Sequence, residues 1–181
     1  MYPFFRLTKV MLKARFRDQL EVQAPSTLQF LALPTDVDFF MELNNARYLN
    51  FMELGRWDLS RRTGFLQTMK SNKWGVAVGG ASIRYRRRIP LFSSFSVTTN
   101  VLCHDGRWFY FLQEFHAKQK ICASALMKVG VTSKDGLIPA TQVAHAMGKE
   151  MDAELPPWVQ AWVDAEGLRP WPKTEPRGVA S

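Results

Sequence analysis

Histidine and cysteine are scarce in this chain, three and two among 181 residues. His104, His116 and His145 have no metal-ligand spacing with one another or with Cys103 and Cys122, so no metal is expected. The cysteines fall in strand-like segments without Cys-x-x-Cys spacing. That argues against a redox motif and for free, buried thiols in a reducing compartment. Long apolar runs are missing as well. None approaches the ~18 residues that a membrane span requires. The opening MYPFFRLTKVMLKARFRDQL is broken by charge throughout, unlike a secretory leader. These absences make a cytoplasmic protein the expectation. Acids are outnumbered, 16 against 24 Lys and Arg, for a net charge of +8. That surplus favours an anionic partner: nucleic acid, a lipid surface or a phosphorylated small molecule. No aromatic–basic recognition motif is present, so nucleic acid is not an expected partner.

What is present suits one globular domain. Hydrophobic residues make up 46% and charged residues 22% of the chain, and 181 residues suffice for a proper core. Residues 1–22 interleave Phe4, Phe5, Leu7, Val10, Met11, Leu12 and Phe16 with Arg6, Lys9, Lys13, Arg15 and Arg17. The segment reads as an amphipathic helix lying on the domain or a neighbouring subunit. The sharper alternative is a basic helix in peripheral contact with an anionic membrane face.

Farther along, 27–33 reads as a strand closed by Pro34. A helix is predicted from about Asn45 to Arg62, with Asn44 or Asn45 as its N-cap. Tyr48, Met52, Gly55 and Leu59 share one face, while Ala46, Leu49, Leu54 and Trp57 widen the apolar arc, as for a helix wrapped by a curved sheet. Gly55 in mid-helix implies close approach by a strand. Residues 65–70 suggest a second short helix. Four strands follow, at 75–89 (with a bend or bulge at Gly79-Gly80), 91–104, 108–119 and 121–133, and His104-Asp105-Gly106-Arg107 forms a hairpin turn. Short helices are expected within 140–166, with Trp158 and Trp162 covering a sheet edge or a neighbouring subunit. A mobile tail is expected over 169–181.

Chemistry concentrates in 34–57, PTDVDFFMELNNARYLNFMELGRW. Asp36 and Asp38 follow a Pro-Thr turn and precede a helix N-terminus, whose unpaired N–H groups and aligned dipoles favour negative charge. An acid facing such a terminus supplies two parts of an acyl-transfer site: a base or nucleophile, and a donor for the developing oxyanion. The run Asp36, Asp38, Asn44, Asn45 and Tyr48 resembles the Asp-x-Asp-x-x-Gly-His-x-Asn-Asn-x-x-Tyr motif of hot-dog thioesterases of the 4-hydroxybenzoyl-CoA thioesterase type. Met41 and Glu42 stand where that family has Gly and His.

The resemblance implies an α+β hot-dog fold, an antiparallel sheet of five to six strands wrapped around a long central helix, in a single domain with its core at about 26–135. It implies hydrolysis of an acyl-CoA or acyl-carrier-protein thioester. Asp38 would be nucleophile or general base and the backbone N–H near Asn45 the oxyanion donor. Glu42, where the family has His, reads either as a solvent-exposed, inert side chain or as a second acid that acts on Asp38 by like-charge repulsion or substitutes for it. Asn44 and Tyr48 would contact substrate. Asp36 is expected to support the turn. Coenzyme A would arrive as part of the substrate, with no bound cofactor, and the site would lie between two subunits of a homodimer or tetramer.

Arg84, Arg86 and Arg88 alternate in a predicted strand. They read either as a solvated face or as a clamp for the coenzyme A phosphates. Two rival functions remain. A hot-dog dehydratase would need a histidine near the helix start, and there is none. A non-catalytic hot-dog protein binding acyl-CoA or a protein partner draws its support from Met41 and Glu42. Adjacent strand residues point to opposite faces, so Cys103 and His104 make no nucleophile–base pair.

Overall fold

The computed structural model describes residues 4–151 and 153–170. Three residues of the expected amphipathic segment (1–3) and all of the expected mobile tail except Arg169 and Pro170 lie outside them.

The elements run in chain order as α1 (Phe4–Arg15), β1 (Ser26–Leu31), α2 (Asn45–Arg62), α3 (Phe65–Asn72), β2 (Gly75–Tyr85), β3 (Ser94–His104), β4 (Phe109–Ala117), β5 (Lys120–Ser133), β6 (Gly136–Ile138), α4 (Ala140–Met147) and α5 (Pro157–Leu168). One antiparallel sheet takes the order β1-β3-β4-β5-β2, with β6 paired to β5. It curls around α2, the hot-dog arrangement expected from the sequence.

Period-2 alternation aims Phe95, Val97, Thr99 and Val101 of β3 at the helix, with Phe109, Phe111, Gln113 and Phe115 of β4 beside them. From α2, Tyr48, Met52, Gly55 and Leu59 meet that surface, all buried. Phe51 and Leu54, also buried, lie on the flank that α1 covers, where Val10 and Ala14 are its buried residues.

Gly55 is where helix and sheet come closest. A Cβ there would collide with Thr99 Oγ1 and stand 3.2 Å from Gln113 Nε2. Gln113, completely buried, staples the two layers: its Nε2 donates to the Met52 carbonyl (2.8 Å) and to Thr99 Oγ1 (2.7 Å), and its Oε1 accepts from Arg56 Nη1 (2.7 Å). A second buried polar cluster closes the other end of α2. Asp58, with no exposed surface, accepts from Ser26 Oγ and from Arg17 Nη1 (3.1 and 3.2 Å) and lies 3.6 Å from Arg62 Nη1. Its charge is thereby paired and hydrogen-bonded, which burial of a carboxylate demands.

Several sequence expectations need correction. The strand predicted over 75–89 ends at Tyr85, because the amides of Arg86 and Arg87 both donate to the Cys122 carbonyl (2.8 and 3.0 Å), and two residues against one end the ladder. The bend or bulge expected at Gly79-Gly80 is there, as a register shift between Val78 and Gly80. The next strand starts at Ser94 and not at 91, since Ser93 N–H closes a turn onto Pro90 O and Phe92 is left-handed at φ 57°. The turn at Lys134-Asp135-Gly136 returns the chain as β6, a strand too short to read from periodicity. Trp158 and Trp162 border a hollow over the outer face of the sheet together with Arg84, Leu112, Glu114 and Leu126, and Trp162 lies over Gly80 of the edge strand β2. Cys103 and Cys122 are buried free thiols, as expected. Cys103 belongs to the outer apolar cluster while His104 packs edge-on against Phe109 of the inner one, which separates the pair.

Candidate active site

Between β1 and α2 the chain folds into a tight loop that decides where its acids stand. Asp36 is buried and structural. Its Oδ2 accepts the Leu33 amide (3.0 Å), its carbonyl accepts the Asn44 amide (2.9 Å), and its two oxygens receive Nη1 and Nη2 of Arg6 at 2.7 and 2.6 Å. Arg6 comes from α1 and lies over the Phe51 ring, 4.9 Å from its centre. The sequence placed Asp36 in a supporting role but held no sign of this partner 30 residues upstream.

Asp38 is half-exposed and opens a four-residue turn. Its carbonyl accepts the Met41 amide (3.0 Å), its amide donates to Glu42 O (3.0 Å), and its Oδ1 accepts the Phe40 amide (2.9 Å). Among the described residues Oδ2 has no partner. Met41 closes the turn at φ 58°, a left-handed backbone that glycine adopts without steric penalty. The backbone freedom that the family's glycine provides is therefore still used here, by a residue with a Cβ. Residues 41–43 are then fixed against the segment after β2, through Leu91 N–H to Met41 O (2.9 Å), Leu43 N–H to Ile89 O (2.8 Å) and a bridge between Glu42 and Pro90.

Asn44 is the N-cap of α2: its side-chain oxygen accepts the Ala46 amide (2.9 Å) and its carbonyl accepts the Arg47 amide (2.8 Å). This leaves the exposed Asn45 at the first helical position, its amide without an acceptor among the described residues. Asn45 O in turn receives a long hydrogen bond from Tyr85 OH (3.4 Å), which ties the end of β2 to the start of the helix.

Tyr48 lies buried behind that start, its ring 5.0 Å from Tyr85 and 4.7 Å from Phe115. Burial pushes its phenol well above the ordinary tyrosine range, helped by the fields of Cys122, Tyr85 and Glu42, so it stays a neutral hydroxyl. Tyr85 is also raised by burial. Sequence reading had missed Tyr85. Its position beside Arg84 on the opposite strand face was the available signal.

The three arginines are not brought together. Arg84 lines the hollow of about 320 Å³ on the outer sheet face with Glu114, Ser124, Trp158 and Trp162. Arg86 and Arg88 are exposed in the connector beyond β2. Two aromatics at the turn's tip, Phe39 and Phe40, are 93% and 78% exposed, and Met41 and Phe92 beside them are also exposed. Among the described residues no group of His, Cys, Asp and Glu is arranged to hold a metal, and no helix is long and apolar enough to cross a membrane.

A family model for the thioesterase-like superfamily matches residues 32–163, from the end of β1 into α5. The chain belongs to the thioesterase-like superfamily. Among relatives of this thioesterase-like protein is Protein THEM6 of Xenopus laevis, 34% identical over 125 residues, which cover 68% of this chain and 60% of the frog protein. The long-chain acyl-CoA thioesterase FadM of Escherichia coli is 31% identical over 71 residues, 39% of this chain and 54% of FadM. The match thus spans little more than half the length of either relative. Of the solved structures, the probable thioesterase YbaW from Escherichia coli superposes with a TM-score of 0.63 at 22% identity, covering 67% of this chain and 95% of that one. That likeness carries the fold.

Proposed function

We propose that this protein hydrolyses an acyl-CoA thioester to a free acid and coenzyme A, with Asp38 and the Asn45 amide as its machinery. One observation carries the reading. A carboxylate with a free oxygen opens the same short loop that delivers a capped helix terminus with an unused N–H. In the general-base form of the reaction, Asp38 takes a proton from water as the water oxygen bonds to the thioester carbon. The carbonyl electrons move onto oxygen, which the Asn45 amide and the helix dipole hold. Collapse of the tetrahedral species re-forms the carbonyl and breaks the C–S bond, and the departing thiolate takes the proton from Asp38. In the nucleophilic form Asp38 itself bonds to the carbon and the C–S bond breaks to expel the coenzyme A thiolate; water then cleaves the mixed anhydride, which releases the acid, regenerates the Asp38 carboxylate and supplies the proton that the thiolate takes up. Asn44 holds the helix terminus in place, Tyr48 forms the wall behind it, and Glu42 adds negative charge beside the reacting groups. Arg86 and Arg88 are free to meet the coenzyme's phosphates. Arg84, on the outer face, would have to do so from a different side.

The working unit is a homodimer. The β2 edge carries Val76 and Val78 about half exposed, and the exposed Phe39, Phe40, Met41 and Phe92 surround the turn. A second protomer over these groups would close the acyl crevice and remove apolar surface from water.

Thiol release from a panel of acyl-CoA and acyl-carrier-protein thioesters tests the proposal, long-chain acyl-CoA first, since the E. coli relative is named for it. Wild type should turn over and Asp38→Asn should not, while still binding acyl-CoA. Tight binding by wild type without Asp38-dependent release would instead make this a non-catalytic acyl-CoA-binding member of the superfamily.

A further inference from the structure

The outer side of α1 carries apolar side chains that the fold does not use. Val10 and Ala14 are buried and Leu7 packs on the core. Helical spacing turns Phe5 and Leu12 to the opposite side, with Phe16 just past the helix end in the same line. Their exposures are 96%, 59% and 80%. A helix that needs one apolar face to pack here has two. Lys9 and Lys13 flank the outer ridge on one side and Arg15 on the other, all three exposed, and α1 contains no acid. Arg6 and Arg17 are engaged by Asp36 and Asp58, whereas Lys9 and Lys13 make no ion pair among the described residues. These four cations line one wall of a groove of about 500 Å³ between α1 and β1. On its other flank the ridge continues through Phe4 and Phe5 into a hollow of about 420 Å³ that reaches Leu33, Phe51 and Leu54.

We infer that α1 docks the protein on the surface of an anionic lipid bilayer. Phe5, Leu12 and Phe16 enter the boundary between headgroups and acyl chains, and Lys9, Lys13 and Arg15 meet lipid phosphates. The occupant is chosen by charge complementarity: an apolar line bordered by cations on both sides, with no acid between, suits an extended anionic plane. Near such a surface each cation adds about fivefold in affinity. The docking does not depend on the thioesterase reading, and its test requires no turnover.

The test is flotation of the full chain with phosphatidylcholine vesicles and with vesicles carrying about 30% phosphatidylserine, at low salt and at about 0.5 M salt, where charges are screened within about 4 Å. Wild type should float with the anionic vesicles alone and be released by salt. Phe5→Ser/Leu12→Ser/Phe16→Ser and Lys9→Glu/Lys13→Glu, which alter only exposed side chains, should each lower the partition coefficient at least about tenfold at an unchanged melting temperature. Wild type that ignores anionic vesicles would overturn the inference, as would a ridge variant that binds as well as wild type. So would a ridge variant that converts a wild-type dimer to monomers in sedimentation, because the ridge would then be a protein–protein contact. Should the ridge variant fail to fold, the Lys9/Lys13 variant decides by the same criterion.

Discussion

Replacing Gly55 by alanine sets two effects of opposite sign against each other. In an exposed helix the change stabilises by about 1 kcal/mol, because alanine loses less backbone freedom on folding. Here the new methyl would be driven into Thr99 Oγ1 and would stand 3.2 Å from Gln113 Nε2. Relief requires Thr99 to change rotamer, which breaks its 2.7 Å hydrogen bond with Gln113, or α2 to lift off the sheet. Overpacking of this kind costs about 1–3 kcal/mol, and leaving a buried amide donor unsatisfied costs about 1–3 kcal/mol more. The net expectation is destabilisation by about 3 kcal/mol, or roughly 6–12 °C in melting temperature for a chain of this length. Thermal unfolding followed by circular dichroism gives the sign directly. Adding Thr99→Ala removes the obstructing oxygen, so the double variant should be more stable than the sum of the two single changes predicts, by about 1 kcal/mol or more. A Gly55→Ala protein that melts at or above wild type would refute the close approach of helix and sheet.

Other expectations follow from the same contacts. Asp38→Asn should lower kcat for thioester hydrolysis by about 10²–10⁴-fold, with acyl-CoA affinity retained by calorimetry. Arg6→Ala leaves the buried Asp36 carboxylate without its bidentate partner. Because Arg6 is itself 24% exposed, water can replace part of the pair, and a loss of about 2 kcal/mol is expected in denaturant titration, below the roughly 3–5 kcal/mol of a fully buried break. Val78→Glu should yield monomers in sedimentation and inactive protein if the β2 edge joins two protomers. Asp105 supplies a pH dependence. Burial pushes its carboxyl up, but the Trp108 amide (2.6 Å), the Tyr110 hydroxyl (2.7 Å) and the Arg107 amide (2.9 Å) outweigh that and leave it below its ordinary value of 3.8. The unfolded chain therefore binds the proton first as pH falls. Asp105→Asn should melt lower than wild type at neutral pH, by about 1 kcal/mol or less given the exposure of this acid. The gap should close as pH drops below 3.8 and through the folded-state value.

The wrapped helix was legible because its cues are local. Asn44 caps it, Arg62 ends it, and Tyr48, Met52, Gly55 and Leu59 mark the wrapped face at 3.6-residue spacing, all as the structure has them. Gly55 even announced the approach of a strand, though not that Thr99 and Gln113 would supply it. Contacts distant in sequence were not legible. Nothing at Asp36 points to Arg6, and nothing at Asp58 to Arg17, since an ion pair leaves no periodic trace. The arginine run misled for a different reason. Alternation orients side chains only while a ladder continues, and it stops when two amides share the Cys122 carbonyl. The loop at 38–41 lay between these cases. Its acid, Asp38, was readable, but a left-handed methionine offers none of the warning that glycine gives.

The Gln113 staple also bears on synthesis. Its partners on α2 lie 57 and 61 residues earlier in the chain. A ribosome therefore releases the helix well before the strand that anchors it. For that interval Tyr48 and Met52, on the face that β3 and β4 later cover, have only solvent or a chaperone to rest against, and at about 5–20 residues per second the exposure lasts seconds. Aggregation during expression should accordingly respond to translation speed across residues 62–113 more than to the thermodynamic stability of the finished fold.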